Sequence, residues 1–478
     1  MPATSPLLSP AARLLAEQAL SRSAGAPLLG GNAVELLIDA EAHYASWLAA
    51  IRGAQRHVLL ENYIIRNDAV GREFRDALAE RARAGVFVAV VADWMGCFGH
   101  SGHAFWQPLR AAGGQVRVFN PPKLGQPFGW FSRDHRKLLV VDGAQGFLSG
   151  VCISAKWLGN ARRGVPPWRD TGVALRGPVV AEMQAAFAQS WAEAGGELPA
   201  LAPSPAAAAG NVALRLIATQ PSSAGIYRLD QMIAALARRT LWLTDAYFVG
   251  TATYVQALAA AARDGVDVRL LVPGSSDIPL VAGLSRSGYR PLLKAGIRVF
   301  EWNGSMLHAK TAVADGQWAR VGSSNLNLAS WLNNREIDVA IEDAGFAAQL
   351  AAQYERDLAH ATEIVLRPRR HRREKLSGAT ERPPRAHRDG GSSSRAATGA
   401  IRLANRMGAA LVDQRVLGRA DAGPLALGAL ALLLLAVLAW CWPAVLAWPL
   451  GLLCAWLALN LAIRAWRERR RKPDDAAD

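Results

Sequence analysis

One motif occurs twice in this chain, as RDHRKLLVVDGAQGFLSG at residues 133–150 and as MLHAKTAVADGQWARVGSSN at residues 306–325. Each copy contains a histidine, a lysine two positions later and an aspartate five positions after the lysine. These residues are His135, Lys137 and Asp142 in the first copy, and His308, Lys310 and Asp315 in the second. The apolar, β-branched residues after each lysine predict a strand on which histidine and lysine share one face. An Asp-Gly turn ends each strand.

Composition alone does not account for this repetition. The chain has nine histidines, and only seven of its 54 basic residues are lysines. Random placement would give roughly 0.1 His-x-Lys pairs in a chain of this size. Two copies with aspartate at the same offset therefore indicate a functional feature, the alternative being two unrelated strand ends with solvated charges.

The segments before the two motifs also repeat. HVLLENYII (57–65) corresponds to TLWLTDAYF (240–248), and the two histidines are 173 positions apart. Strands alternate with helices in both halves, which predicts α/β layering in a duplicated domain. Neither half carries a complete pair of reactive groups. We therefore expect one active site at the interface of the halves, near a pseudo-twofold axis.

Composition divides the chain into seven segments. They are a lead-in (1–31), a first half (32–200), an Ala/Pro-rich linker (201–211), a second half (212–365), a basic Gly/Ser/Pro-rich linker (366–421), an apolar hairpin (422–464) and a charged tail (465–478). Residues 11–21 predict an amphipathic helix. Because Arg13, Glu17 and Arg22 interrupt the apolar residues of the lead-in, no signal peptide is expected.

Residues 424–463 contain no charged side chain. A single helix of this length would be about 60 Å long, twice the hydrocarbon thickness of a bilayer. We therefore predict two transmembrane helices with a turn between Pro443 and Pro449, and a buried helical hairpin is the alternative. Basic residues at both ends favour a hairpin whose two ends lie in the cytoplasm, together with the catalytic part.

The net charge of +15 favours a polyanionic partner, either nucleic acid or an anionic membrane surface. The basic linker lies beside the apolar hairpin, which favours lipid head groups over nucleic acid. The cysteines have the spacing of neither a metal site nor a disulfide framework. They are Cys97, Cys152, Cys441 and Cys454.

Two imidazoles and two ammonium groups in one site suit phosphodiester chemistry without a metal ion. One histidine can attack phosphorus to give a phosphohistidine while the other protonates the leaving alkoxide. The lysines can hold the nonbridging oxygens, and the covalent intermediate can be passed to an alcohol or to water. Each imidazole also needs a carboxylate on its other nitrogen. The candidates are Asp170 in WRDTG and Glu336 in NNREID.

The remaining candidates support these groups. Asp142 and Asp315 belong to the catalytic motif, and we expect each to hold the lysine or the turn through a buried ion pair. Phosphate contacts are expected at equivalent positions of the two copies, where glycine allows a close approach of the backbone. These positions are Ser149 and Gly150 in the first copy and Gly322 and Ser323 in the second, and Asn325 is a further candidate for contact with phosphate.

The paired motifs, with GSSN at 322–325 and with Ser330, Asn334 and Glu336, resemble those of the phospholipase D superfamily. Within it, LLENYII, HRKLLVVDG, WRDT and MLHAKT resemble the bacterial cardiolipin synthases. The resemblance covers about residues 30–365. It implies two fused α/β/α phospholipase D-like halves with a shared cleft and no cofactor. It also implies His135 as the nucleophile and His308 as the acid and base.

The implied reaction moves a phosphatidyl group from one phosphatidylglycerol, through a phosphohistidine, to the hydroxyl of another, and releases glycerol. Phosphatidylglycerol and cardiolipin are then the lipid partners, and the cell inner membrane is the expected location. A hydrolytic phospholipase D, a nuclease or other phosphodiesterase of the superfamily, and an inactive lipid-binding scaffold are the alternatives. The sequence leaves the acceptor alcohol and the oligomeric state open.

Three positions depart from the pattern of the family. Cys152 stands where the second copy has Asn325, so its contact with phosphate would be weak. Gly172 replaces the histidine expected after WRDT, and Ala246 replaces a proline. In the loop before the first motif, three aromatic residues either dip into the lipid interface or pack as an ordinary loop: Phe128, Trp130 and Phe131.

Overall fold

The computed structural model of this chain describes residues 10–122, 132–201 and 207–365, together with isolated positions between 430 and 458. The chain divides into two compact units, residues 1–385 and 386–478. The first unit contains all the strands of the described residues and both copies of the motif.

Helix α1 (Pro10–Ala24) lies in the lead-in. The helices of the first half are α2 (Asp39–Gly53), α3 (Ala69–Arg83), α4 (Trp94–Cys97), α5 (His103–Ala111) and α6 (Val179–Glu193). The strands of the first half are β1 (Leu29–Ile38), β2 (His57–Asn62), β3 (Phe87–Asp93), β4 (Gln115–Phe119), β5 (Lys137–Val141), β6 (Gln145–Ser149) and β7 (Thr171–Arg176).

The second half repeats this order. Its strands are β8 (Val212–Thr219), β9 (Thr240–Thr244), β10 (Asp267–Pro273), β11 (Arg298–Trp302), β12 (Thr311–Ala314), β13 (Trp318–Gly322), β14 (Glu336–Glu342) and β15 (Ala361–Ile364). Its helices are α7 (Gly225–Leu236), α8 (Ala252–Arg263), α9 (Pro279–Lys294) and α10 (Ala344–Leu358).

Within the described residues, the strands join in one sheet with the order β15-β11-β10-β9-β12-β13-β14-β8-β1-β7-β6-β5-β2-β3-β4. Strands β1 and β8 pair antiparallel at its centre, where Leu29 lies opposite Leu214. From this centre the strand order is equivalent on both sides, and β15 is an additional strand at one edge. The duplication read from the sequence is therefore also present in the sheet topology.

Three large apolar cores and a smaller fourth one, which contains Phe300 and Tyr354, lie between the layers in the described part of the chain. One lies between the first-half sheet and α2, α3 and α5, and a second lies between the second-half sheet and α7, α8 and α9. The third core takes residues from both halves, including Val173 and Val339, and contains Phe187 of α6 and Leu350 of α10. This shared core holds the two halves against each other and so fixes the relative positions of the two motifs.

Helix α1 covers the predicted helix at residues 11–21 and packs against the second half. Ala24 at its end and Ala26 just after it belong to the core that also contains Ile226 and Leu229 of α7. Arg215 Nε donates to Ser21 Oγ at 3.3 Å. The lead-in thus precedes the first half in sequence but contacts the second half in space.

The motif strands begin later than the sequence indicates. Strand β5 begins at Lys137 and β12 at Thr311, so both histidines precede the regular strand. The expected turns follow: Asp142 and Asp315 both have φ 54°, and the next residues, Gly143 and Gly316, also have positive φ. Two consecutive positive φ angles are typical of a tight hairpin turn and explain the Asp-Gly pair.

Described positions in the C-terminal unit are helical and apolar. The exposed ones include Leu430, Leu433, Val437, Trp440 and Leu452. Among the described residues, no helix has both the length and the apolarity needed to cross a bilayer. Most of the predicted hairpin, the linker 366–421, the tail 465–478 and the aromatic loop at 123–131 lie outside the described residues.

Candidate active site

Backbone hydrogen bonds hold each motif histidine to the opposite half of the chain. The His135 N–H donates to the carbonyl oxygen of Arg335 at 2.9 Å, and the His308 N–H donates to that of Arg169 at 2.7 Å. Each arginine immediately precedes one of the candidate carboxylates. The same contact between the halves therefore occurs twice.

The two carboxylates are exchanged between the halves. Glu336 Oε2 lies 2.8 Å from His135 Nδ1, and Asp170 Oδ2 lies 2.8 Å from His308 Nδ1. Both carboxylates are fully buried. In the sequence each carboxylate follows the motif of its own half, but in the structure it contacts the histidine of the other half.

Glu336 is held by a hydroxyl and an amide. Ser323 Oγ donates to Glu336 Oε2 at 2.6 Å, and Asn334 Nδ2 donates to Oε1 at 3.1 Å. Burial alone would raise the pKa of Glu336, but the charges of His135 and Lys137 and the Ser323 hydroxyl outweigh burial and hold this pKa below its ordinary value. Glu336 is therefore ionised at neutral pH.

Asp170 has a different set of donors. Trp157 Nε1 donates to Asp170 Oδ2 at 3.0 Å, and the Thr171 N–H donates to Oδ1 at 2.9 Å. Burial opposes ionisation, but His308, Lys310 and the Trp157 indole outweigh it, so the pKa of Asp170 is lowered. This carboxylate is ionised as well.

The ionised carboxylates determine the tautomer of both histidines. An ionised carboxylate only accepts hydrogen bonds, so Nδ1 of each imidazole carries the proton and Nε2 keeps its lone pair. Burial lowers the pKa of His135 to about 4 and that of His308 to about 4, although Glu336 and Asp170 act in the opposite direction. At neutral pH both rings are uncharged and can act as nucleophile or base.

The two lysines are buried beside the histidines. Lys137 and Lys310 each donate through Nζ to the carbonyl oxygen of the histidine of their own motif. The charge of Lys310 acts on His135, and the charge of Lys137 acts on His308. The four motif side chains therefore share one electrostatic environment. Burial lowers the pKa of Lys310 to about 8.

Two tyrosines line the site in equivalent places, and the sequence analysis did not single them out. The Tyr63 ring lies 4.7 Å from the His135 ring, and the Tyr247 ring lies 5.9 Å from the His308 ring. Lys137 Nζ is 5.0 Å from the Tyr63 ring, and Lys310 Nζ is 5.8 Å from the Tyr247 ring. The signal in the sequence is their place in the repeated LLENYII and LTDAYF segments.

The chain is similar in sequence to known proteins. The family described as cardiolipin synthase, PLD-like domain, matches residues 230–358. Cardiolipin synthase A of Pseudomonas aeruginosa is 34% identical over 358 residues, which cover 74% of this chain and 72% of the relative. The chain belongs to the cardiolipin synthase family. The cardiolipin synthase of Alkalihalophilus pseudofirmus is 32% identical over 348 residues, 71% of this chain and 68% of the relative.

A solved structure supports the fold. The crystal structure of phosphatidylserine synthase from Haemophilus influenzae aligns with a TM-score of 0.58 and 15% identity, over 73% of this chain and 91% of the other. At this identity the likeness concerns the fold alone. The predictions of a phospholipase D-like α/β fold and of membership in the cardiolipin synthase family are confirmed.

Ser149 and Gly150, two of the residues expected to bind phosphate, contact other groups of the protein. Ser149 Oγ accepts from the Val151 N–H at 3.0 Å. A Cβ at Gly150 would lie 2.2 Å from Asp170 Oδ1, so this glycine makes room for the carboxylate. Asn325 keeps an amide oxygen without a hydrogen-bond partner among the described residues. Its Nδ2 donates to Ser330 Oγ at 3.4 Å. Because an amide oxygen only accepts, Asn325 in this orientation can bind a hydroxyl group and not a phosphate oxygen.

The departures from the family pattern have physical consequences. A Cβ at Gly172 would lie 2.3 Å from His43 Nε2 and 2.3 Å from Ser149 Cβ. The buried imidazole of His43 in α2 therefore occupies the space that a side chain at 172 would need. Cys152 is fully buried and burial raises its pKa, so its thiol is neutral. Ala246 is also buried.

The structure corrects the ion pair expected between the motif aspartate and the lysine. Asp142 accepts from three backbone N–H groups at 2.7–2.9 Å, those of residues 55–57. Asp315 accepts equivalent bonds from residues 238–240 at 2.7–2.9 Å. Strand β5 separates Asp142 from Lys137 by about 16 Å of extended chain. Both aspartates stabilise the turn before the neighbouring strand.

Buried arginines at the interface of the halves were missed by the sequence analysis. Arg335 Nη2 lies 2.9 Å from Glu193 of α6, and Arg169 Nε lies 2.9 Å from Asp357 of α10. Each ion pair joins one half to the last long helix of the other. The signal in the sequence is the arginine that immediately precedes the carboxylate in both WRDTG and NNREID.

Arg136 has no counterpart in the second motif, where Ala309 occupies the position. Its guanidinium is fully buried and donates to the carbonyl oxygens of Glu336 at 3.2 Å, Thr219 at 3.0 Å and Ala186 at 2.9 Å. Arg136 therefore fixes the backbone of Glu336 from the first half. Among the described residues, no group of three or more His, Cys, Asp and Glu side chains could hold a metal ion.

Proposed function

We propose that this chain catalyses phosphatidyl transfer from one phosphatidylglycerol to another, forming cardiolipin and releasing glycerol. The observation that carries the proposal is the exchange of Glu336 and Asp170 between the halves. This exchange gives two neutral imidazoles, each with Nδ1 held by a carboxylate, beside two buried ammonium groups. These groups can bind a phosphate diester, form a covalent bond to its phosphorus and transfer the phosphatidyl group to an acceptor.

In the first half-reaction, His135 Nε2 attacks the lipid phosphorus, and the bond from phosphorus to the glycerol oxygen breaks. His308 delivers a proton from Nε2 to that oxygen, and glycerol leaves. Because the bound phosphate diester is anionic, it raises the pKa of His308 above the value of about 4 in the free protein, so that His308 binds the proton it transfers. Lys137 and Lys310 stabilise the charge on the nonbridging oxygens.

In the second half-reaction, His308 Nε2 removes the proton from a hydroxyl of a second phosphatidylglycerol. The alkoxide oxygen attacks phosphorus, and the bond from phosphorus to His135 Nε2 breaks. Cardiolipin leaves and both imidazoles return to their starting state. Water in place of the second lipid would give phosphatidic acid, so exclusion of water decides the product.

We further propose that the C-terminal unit attaches the protein to the cell inner membrane with the catalytic unit on the cytoplasmic side. Residues 424–463 contain no charged side chain, and Arg415 and Arg464 are among the basic residues that flank them. The described positions in this stretch are helical, and their apolar side chains are exposed. Such exposed apolar residues require a lipid or protein partner. A chain ending at residue 420 should therefore lose its partition into vesicles.

The test of the reaction uses purified full-length protein, vesicles of acyl-labelled phosphatidylglycerol and EDTA, followed by lipid chromatography. We expect cardiolipin as the main labelled product. His135→Ala and His308→Ala should each lower its formation at least about 10⁴-fold, since each removes a reacting group. His100→Ala, at an exposed histidine outside both motifs, is the control.

The covalent step has its own readout. After quenching with denaturing detergent at neutral pH, which preserves the acid-labile bond between phosphorus and nitrogen, the labelled protein is digested and the modified residue is identified by mass spectrometry. With a phosphatidyl ester of p-nitrophenol, whose leaving group needs no proton, a label on His135 in the His308→Ala variant supports the assignment. Labelled phosphatidic acid as the main product would instead make the protein a hydrolase, and no turnover of phosphatidylglycerol would contradict the proposed function.

A further inference from the structure

The pseudo-twofold relation between the halves is broken at the hydroxyl groups of the two site tyrosines. Arg133 Nη1 donates to Tyr63 Oη at 3.4 Å on the His135 side. On the other side, Tyr247 Oη donates to Asp277 Oδ1 at 2.7 Å. A cation thus borders the first tyrosine and an anion borders the second.

Asp277 lies at the open rim of the site, close to His308. Its Oδ2 is 3.3 Å from Lys156 Nζ, and the two side chains are 28% and 38% exposed. Lys156 Nζ lies 4.3 Å from the Trp168 ring, whose centre is 5.6 Å from the His308 ring. This cluster therefore borders His308, the histidine that we propose exchanges a proton with the alcohol oxygen.

The two sides of the site differ in charge next to the tyrosine hydroxyl groups. An ionised carboxylate offers about four acceptor positions, and Tyr247 and Lys156 use two of those on Asp277. The carboxylate can still accept a hydrogen bond from a hydroxyl group, and it repels phosphate. On the opposite side, Arg133 Nε has no hydrogen-bond partner among the described residues, and a guanidinium attracts phosphate.

We propose that Asp277, oriented by Tyr247, binds a hydroxyl group of the glycerol head group on the His308 side of the site. The same position receives the glycerol that leaves in the first half-reaction and the glycerol head group of the acceptor in the second. The carboxylate thereby selects polyol acceptors over water and over simple alcohols. This inference rests on the proposed function.

Acceptor competition tests the proposal directly. Full-length protein is incubated with phosphatidylglycerol vesicles, deuterated glycerol and ethanol, and mass spectrometry gives the ratio of deuterated phosphatidylglycerol to phosphatidylethanol. Both products arise from the same phosphoenzyme, so the ratio reports recognition of the acceptor alone. Asp277→Asn should lower this ratio on the order of tenfold, because a hydrogen bond to a charged group is lost.

Matched variants separate direct binding from a structural effect. Asp264→Asn, at an exposed carboxylate of the same half, should leave the ratio unchanged. Lys156→Gln should also preserve it, and a tenfold fall in that variant would show that Asp277 acts only by holding the lysine. If circular dichroism shows that Asp277→Asn is unfolded, Tyr247→Phe decides: we expect a lower ratio, and an unchanged ratio overturns the proposal.

The outcome is distinct from failure of the proposed function. If the unmodified chain forms cardiolipin and Asp277→Asn keeps the glycerol to ethanol ratio of the unmodified chain, the head-group site is refuted and the transfer reaction stands. If the unmodified chain transfers no phosphatidyl group to any alcohol, the proposed function itself is refuted.

Discussion

The two copies of the motif have the same backbone frame and different surroundings. In both, the histidine N–H bonds to the residue before the carboxylate of the other half, and the carboxylate bonds to Nδ1. Around Glu336 the donors are a hydroxyl and an amide, whereas around Asp170 they are an indole and a backbone N–H. The frame was kept after duplication, and the supporting side chains diverged.

The two imidazoles therefore have different neighbours. Ser323 and Gly150 are at equivalent positions of the two copies. Glu336 accepts a hydrogen bond from the Ser323 hydroxyl, whereas the Asp170 carboxylate fills the space that a side chain at position 150 would need. Trp157 and Trp168 lie against the His308 ring at 5.4 and 5.6 Å, and the Tyr63 ring lies against the His135 ring at 4.7 Å. The pseudo-twofold relation of the motifs thus does not extend to the rings around them, and this asymmetry suits the two-step reaction that we propose.

The largest effect should come from the exchanged carboxylates. Glu336→Gln should slow formation of the phosphoenzyme by about 10³–10⁴-fold, because an amide no longer fixes the His135 tautomer. Asp170→Asn should impair protonation of the leaving group instead. With a phosphatidyl ester of p-nitrophenol, whose leaving group needs no proton, Asp170→Asn should form the phosphoenzyme at close to the normal rate.

Rapid-quench labelling of His135 measures both rates. Glu355→Gln, at an exposed carboxylate on α10, is the control and should behave as the unmodified chain. Labelling of His135 that is blocked by Asp170→Asn and unaffected by Glu336→Gln would contradict the exchanged pairing.

Substitutions at Gly150 and Ser323 should lower turnover less than loss of a carboxylate, and by different factors. Gly150→Ala places a Cβ 2.2 Å from Asp170 Oδ1, so the carboxylate must move and turnover should fall roughly 10²-fold. Ser323→Ala removes one donor to Glu336 without a clash and should cost about tenfold. Steady-state kinetics of the two variants test this order, and equal losses would show that the two positions are interchangeable.

The pH profile should follow the buried groups of the two motifs. The value of kcat/KM should fall below pH about 4, where the nucleophile His135 becomes protonated, and above pH about 8, where Lys310 loses its proton. Each pH unit below about 4 or above about 8 should lower kcat/KM by up to about tenfold for each titrating group. A profile that is still rising at pH 9 would show that the charge of Lys310 is not needed.

The same groups predict acid sensitivity of the fold. The folded pKa of His135, about 4, lies below the ordinary value of 6.5, so folding favours the neutral ring. The stability that this neutral ring contributes is fully present above pH 6.5 and is lost as the pH falls toward 4. Urea unfolding at pH 7 and pH 5 measures the loss.

The smallest effect on activity should come from the motif aspartates. Asp142→Ala and Asp315→Ala should each lower the free energy of unfolding by about 1–3 kcal/mol, because three backbone N–H groups lose their acceptor. At a temperature where the variants are folded, kcat should stay within about twofold. Thermal unfolding measures the stability and lipid kinetics measure kcat. A loss of kcat close to that of His135→Ala would show that the aspartates take part in the reaction.

Much of this arrangement can be predicted from the chain itself. The repeated His-x-Lys pattern is local, so its strand, its Asp-Gly turn and the duplication are written in neighbouring residues. Asp170 and Glu336 are also recognisable, since each follows a motif histidine by a similar spacing in a short polar segment. Family membership follows from the same segments.

Contacts between residues distant in sequence are beyond the reach of such patterns. Residues 135 and 336 meet because the core shared by α6, α10 and both halves of the sheet brings the two halves together. The filling of the space at Gly172 by His43 and the three carbonyl contacts of Arg136 likewise depend on packing between remote segments.

The sequence by itself determined the candidate reacting groups, the duplication and the family, because periodicity and motif spacing are properties of adjacent residues. Only the tertiary structure decided which carboxylate serves which histidine, that the motif aspartates hold turns and not lysines, and that opposite charges border the two tyrosines. Each of these depends on distances across the interface of the halves, and those distances are set by the packing of the shared core.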